Sequence, residues 1–182
     1  MNNYFDNKLI NEKLLEERII FLNNEINSET AGEIVSKLLY LDSLDNDDIK
    51  IYINSPGGEI SSGFMIYDAI NLIKSDVETI SMGTSASMAA IILLAGTKGK
   101  RKIFPHSKVM LHDLSGGITG KYKDVVTEVN EMNKLHNILF DIIKDKTNIS
   151  AEMLEEKLKN DFWLNSEEAL NYGVVDKIIN YK

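Results

Sequence analysis

Residues 77–96 read VETISMGTSASMAAIILLAG, and how this stretch divides decides the fold. Its first part, VETISMG (77–83), is β-branched and half apolar, the pattern of a short strand. Its last part, SMAAIILLAG (87–96), is apolar on every side, the pattern of a helix buried all round, with Gly96 at its end. The junction GTSAS carries two hydroxyls, Ser85 and Ser87, where a strand hands over to a helix. A serine there is most often only a cap. It can also be a nucleophile, because the first N–H groups of a helix have no intrahelical partner and can face a developing oxyanion. GTSAS is close to the G-x-S-x-G elbow around Ser85, although its last position is Ser87 rather than glycine.

Working outward, RIIFL (18–22) reads as a strand. Thr30 and Glu33 have capping-box spacing and predict the start of an amphipathic helix through EIVSKLLYL. IKIYI (49–53) is a strand ending in the turn signal NSPGG, and SSGFMIYDAINLIK (61–74) has apolar residues at helical spacing. KVMLH (108–112) is a further strand. Val125, Val129, Met132, Leu135, Leu139 and Ile142 mark a long helix from about 121 to 146. Two shorter helices, near 151–159 and 166–172, precede a last strand in VVDKII (174–179). Strands alternating with helices predict βαβ units and a mainly parallel sheet in an α/β fold. The length of 182 residues fits one domain.

Composition narrows the function. There are no cysteines, so disulfides, thiolate metal sites and a cysteine nucleophile are excluded. Only three histidines occur, none paired at ligand spacing, which argues against a zinc site. A net charge of −8 argues against nucleic acid as a partner. The polar start MNNYFDNKLINEKL has no apolar leader pattern and the longest apolar run is too short to span a bilayer. The expectation is a cytoplasmic protein with no membrane partner.

In open α/β sheets, sites gather beyond the carboxyl ends of strands. NSPGG, GTSAS and His112 all fall at such places. His112 is placed to act as a base for a serine, or to be a structural half-buried histidine; His136 lies on the long helix and His106 follows Pro105. An orienting acid cannot be chosen from spacing among so many carboxylates. Pro56-Gly57-Gly58 reads either as an ordinary turn or as backbone that lets a substrate or oxyanion approach its amides.

Together these segments resemble the ClpP family, the proteolytic subunit of the ATP-dependent Clp protease. The resemblance runs from LLEERIIFL (14–22) through YINSPGGEISSGFMIYDAI (52–70), SMGTSASMAAIILLAGTKGKR (81–101) and KVMLHDLSGG (108–117) to LNSEEALNYGVVDKI (164–178). It implies a ClpP/crotonase-like fold of repeated βαβ units with a protruding handle helix, one peptidase domain over 1–182. It further implies that Ser87 is the nucleophile, His112 the general base and Asp161 the orienting acid, with the amides of Gly58 and Met88 as oxyanion hole. Gly57 and Gly58 would bind the substrate as an added strand, and Ser85 becomes a bystander. The implied activity is hydrolysis of unfolded polypeptides through an acyl-enzyme, inside a chamber made by heptameric rings stacked as a tetradecamer. The implied partner is a Clp AAA+ ATPase, which uses the ATP; no cofactor is expected in this chain.

Four positions depart from the family pattern. Asp113-Leu114 stand where Gln-Pro usually follows the histidine, and Thr84-Ser85-Ala86 where Gln-Ala-Ala precedes the serine. Lys50 stands where many relatives carry an aromatic in the ATPase-docking groove, and Asn160 where an Arg commonly precedes the acid. These departures leave room for a weakly active or structural ring subunit working with a second ClpP-like subunit. A crotonase-type acyl-CoA enzyme is a weaker alternative, since it does not call for Ser87, His112 and Asp161 together.

Overall fold

The computed structural model describes residues 7–181, and side chains from residue 9 onward. Part of the polar start read above for a leader, residues 1–6, lies outside the described residues. The chain opens with α1 (Asn7–Glu16), followed by β1 (Ile19–Leu22), α2 (Ser28–Leu44), β2 (Ile49–Ser55) and α3 (Ile60–Leu72). Then come β3 (Val77–Ala86), α4 (Met88–Ala95), β4 (Arg101–Ile103), β5 (Lys108–Leu111) and α5 (Tyr122–Lys146). Four short elements, α6 (Ala151–Lys157), β6 (Phe162–Leu164), α7 (Ser166–Asn171) and β7 (Lys177–Ile178), complete it.

Strands β1-β2-β3-β4-β7 lie side by side and parallel, as βαβ alternation requires. β5 pairs in parallel with the far half of β3, and β6 closes on β5 as the one antiparallel pair among the described strands. Helix α4 is the centre of the molecule. All eight of its residues are buried, which is why its sequence shows no polar face. It packs on α3 and β3, and Ile20, Ile51, Ile53, Ile66 and Leu111 belong to the same core.

β3 does more than its sequence pattern suggests. Residues 77–83 were expected to form the strand; it runs on through Gly83-Thr84-Ser85-Ala86. Its first half pairs with β4 at 79–81 and its second with β5 at 84–86. Between them the register with β2 shifts, from Ile53↔Ser81 to Ser55↔Ser85, so β3 bulges around Met82-Gly83-Thr84. The bulge is held by Asn54, whose Oδ1 accepts from Thr84 N–H at 3.0 Å, and by Ser107 Oγ, which accepts from Gly83 N–H at 2.8 Å. Gly83 is needed here: φ is +111° and a Cβ would lie 2.5 Å from Asn54 Oδ1. The bulge carries the strand end out of the main sheet and delivers residue 87 to the end of β5.

Other details also differ from the sequence expectations, and the last strand, expected over 174–179, is confined to Lys177–Ile178. The cap of α2 is Asn27, whose side chain accepts from Thr30 N–H, so the helix starts before the Thr30–Glu33 spacing. Helix α4 does stop at Gly96, yet with φ −53° rather than a left-handed turn; the glycine is there because a Cβ would meet Thr79 Oγ1. The strand expected to end at His112 ends at Leu111.

Candidate active site

Ser87 follows the last residue of β3 and precedes the first of α4. Its N–H donates to Met110 O at 2.9 Å, which ties the junction to β5. Its backbone sits at φ 54°, ψ −126°, a rare conformation for a residue with a Cβ, and its side chain makes no capping bond. The cap reading therefore fails on geometry. The free hydroxyl instead lies 2.8 Å from His112 Nε2. β5 ends one residue before His112, so the two strand ends bring together residues 25 apart in sequence.

Ser85 points elsewhere. It is fully buried in β3 and its Oγ donates to Ser81 Oγ at 2.8 Å. Alternation along a strand explains this: residues two apart share a face, but the turn at Ser87 leaves the strand.

The Pro56-Gly57-Gly58 turn is clamped against the same junction. Ile26 N–H donates to Gly57 O at 2.7 Å and Glu59 N–H to Ile26 O at 2.8 Å. These bonds face Ile26, so alternation turns the Gly58 amide to the opposite side. Both glycines are obligatory. A Cβ on Gly57 (φ +93°) would lie 2.7 Å from Ser87 Cβ and 2.9 Å from Met88 N, and one on Gly58 (φ +149°) would overlap Ile26 O. Among the described residues, neither Gly58 N–H nor Met88 N–H has a hydrogen-bond partner. Met88 N–H is the first of α4 and has none by construction.

Gly58, Ser87, Met88 and His112 line one cavity of about 80 Å³. Its apolar lining is Ile60, Met88 and Ile91, Leu111 at the end of β5, and Leu139 and Ile143 of α5. The helix α5 wall was not foreseen from the sequence.

Asp161 is not brought to His112 by a hydrogen bond. It is exposed and lies just before β6. The antiparallel ladder pairs Leu111 with Phe162, and one further step along it sets Asp161 opposite His112. Asp113, the residue after His112, is engaged elsewhere: its Oδ1 accepts from Leu114 N–H and from His136 Nδ1, each at 2.7 Å.

A hydroxyl in contact with an imidazole, beside unpaired amides and an apolar cavity, can carry out acyl transfer: the ring takes the proton, the alkoxide attacks a carbonyl and the amides receive the oxyanion. On an α/β sheet, this defines a serine hydrolase. Comparison with known proteins makes it more particular. Residues 3–182 match the family model described as Clp protease. The chain is 43% identical over 171 residues to the ATP-dependent Clp protease proteolytic subunit of Borreliella afzelii, covering 93% of this chain and 87% of that one. It is also 43% identical to the protein of the same name from Borrelia garinii subsp. bavariensis, covering 93% and 88%. The chain belongs to the Clp protease family, and it is a serine endopeptidase subunit of the Clp type.

Proposed function

We propose that Ser87, His112 and Asp161 act as nucleophile, general base and orienting acid in the hydrolysis of unfolded polypeptides. The observation that carries this reading is the 2.8 Å contact between Ser87 Oγ and His112 Nε2 at a strained strand-to-helix turn. His112 takes the Ser87 proton as the oxygen attacks a peptide carbonyl, then gives it to the leaving amine. Water hydrolyses the acyl-enzyme with the same ring as base. Gly58 and Met88 N–H groups hold the oxyanion. An extended substrate pairs along the Gly57-Gly58 edge facing away from Ile26 and places an apolar side chain in the cavity. Every role falls to a group of the chain itself.

Asp161 completes the set when its carboxylate reaches His112 Nδ1 from its place opposite in the ladder. That step is coupled to assembly. Helix α5 has a single buried residue, Ile143, while Tyr122, Val126 and Val129 are exposed along one face of its first half. An uncovered apolar stripe of this kind favours self-association, and heptameric rings stacked into a tetradecamer would cover it. A Clp AAA+ ATPase partner supplies unfolded chains at the expense of ATP, and the proposed compartment is the cytoplasm. Its docking face is the outer side of β1 and β2, where Phe21 stacks on Tyr52 at 5.4 Å and Lys50 lies beside Glu78. A second ClpP-like subunit working in the same assembly is favoured by Asn160, which cannot form the bidentate carboxylate pair of an Arg.

The test is peptide hydrolysis by Ser87→Ala beside Ser85→Ala. Ser87→Ala loses several orders of magnitude in kcat with its fold intact, while Ser85→Ala keeps its turnover. Equal turnover in wild type and Ser87→Ala overturns the mechanism.

A further inference from the structure

The contact between Asp113 and His136 joins the segment that carries His112 to the middle of α5. His136 Nδ1 meets Asp113 Oδ1 at 2.7 Å, and since a carboxylate oxygen only accepts, the ring nitrogen carries the proton. The same carboxylate oxygen receives Leu114 N–H, so Asp113 is fixed from both sides. The imidazole is in turn stacked on Phe140, centroids 6.0 Å apart, which limits its rotation. The consequence lies one residue away. Segment 111–115 forms one wall of the cavity beside Ser87, and Leu139 and Ile143 of α5 form another. The Asp113–His136 link is the polar tie between these two walls.

We propose that Asp113 and His136 form a positioning pair, in which the helix-borne imidazole holds the segment carrying His112 and thereby sets the width of the apolar cavity beside Ser87. This rests on the reading of Ser87 and His112 given above. The groups that meet the His136 ring are Asp113 from the segment, Phe140 from its own helix, and, across a small shared cavity, His112, Leu114 and Leu158. Asp113 is the one carboxylate among them, so removing either partner of the pair removes the same tie. Both side chains are about half exposed (40% and 52%), so the effect is modest: about two- to fivefold in kcat/KM, the scale of a partly exposed ion pair.

The experiment is a cycle of Asp113→Ala, His136→Phe and the double variant in the full-length chain. Phe at 136 keeps the ring stack and removes the donor. Turnover is measured on peptides that differ only in the size of the apolar residue before the scissile bond. Each single variant is expected to lose about two- to fivefold and to discriminate less between residue sizes, with no further loss in the double variant. Asp113→Asn, which keeps an acceptor, recovers most of what Asp113→Ala loses. Losses that add in the double variant, or an unchanged size preference, overturn the proposal. A second readout needs no turnover. With only three histidines, their ring C–H signals are separable by NMR after selective labelling. His136→Phe and Asp113→Ala are expected to move the His112 signals alike; unmoved His112 signals in both overturn the pair. If Ser87→Ala retains turnover, the catalytic reading fails, and the histidine signals still decide whether the tie exists.

Discussion

At Ser87 the backbone holds φ 54° and ψ −126°, and a residue with a Cβ kept there stores about 1–3 kcal/mol. The surrounding contacts enforce it: Ser87 N–H is bound to Met110 O, and Gly57 presses on its Cβ side. The strain projects the hydroxyl out of both strand and helix, toward His112. Substitution separates the two parts of this arrangement. Ser87→Gly relieves the strain and is expected to unfold no earlier than Ser87→Ala, despite the larger chain entropy of glycine, about 0.4–1 kcal/mol. Both variants lack the hydroxyl and are expected to be inactive. Denaturant titration of the two checks this; a Ser87→Gly protein clearly less stable than Ser87→Ala would mean that the turn carries no strain. Gly57→Ala acts on the same junction from outside. Its Cβ would collide with Ser87 Cβ and Met88 N at a φ of +93°, so kcat should fall at least about tenfold while the core stays folded. Steady-state kinetics with a circular-dichroism melt tests it, and wild-type kcat in a folded Gly57→Ala would contradict the packing argument.

At the scale of elements, what was legible in the sequence depended on whether an element carries its own signal. β2 and α4 did: IKIYI alternates Ile49, Ile51 and Ile53 in the core with half-buried Lys50 and Tyr52, and AAIILLA is buried on all sides, so the composition of each shows its place. β4 and β6 did not. Each has three residues and exists only because β3 or β5 offers a ladder to pair with, so no local pattern announces it. Helix α1 carries little signal because NKLINEKLLE is mostly polar, and α2 begins ahead of the Thr30–Glu33 spacing because Asn27 provides the cap. In the site, Ser87 and His112 were legible as strand-end residues. The bulge that joins them and the α5 wall of the cavity were not, since both arise from contacts between distant segments. The end of α5 depends on another such contact. Arg101 is buried, pairs with Asp176 through Nη2 at 2.6 Å and Nε at 2.9 Å, and donates from Nη1 to Lys146 O, the last residue of α5. Burial alone would raise the Asp176 carboxyl, but the hydrogen bonds and charge of Arg101, with Gly99 N–H, outweigh it and hold it below its ordinary value. A lowered folded value means that this pair stabilises above the unfolded carboxylate range and loses its effect as pH falls through the folded value. Asp176→Asn should therefore cost about 1–2 kcal/mol near neutral pH, less than a fully buried pair would, and progressively less in acid. Unfolding curves across pH test this; a gap between the two proteins that does not shrink in acid would contradict it.

For the whole molecule, the single chain holds Ser87 and His112 together but leaves Asp161 exposed and α5 largely uncovered. Among the described residues no helix is long and apolar enough to cross a membrane, so the exposed face of α5 is not a spanning segment. Association that fixes the Asp161 side chain at the start of β6 would shift the population toward chains with Asp161 on His112. Asn160 offers no charge to lock that step from its own side of the contact. Specific activity is expected to fall on dilution and to recover on adding a partner ring. Sedimentation velocity with parallel peptidase assays checks it, and constant activity in a stable double ring at the lowest concentration would show that other contacts hold Asp161.

The central claim is that Ser87 is the nucleophile, activated by His112. It is tested most directly by treating the protein with a serine-reactive phosphonate and mapping the adduct by peptide mass spectrometry. One adduct per chain on Ser87, lost in Ser87→Ala and strongly slowed in His112→Ala, is the predicted result. An adduct on any other serine, or equal labelling of Ser87 in wild type and His112→Ala, would contradict it.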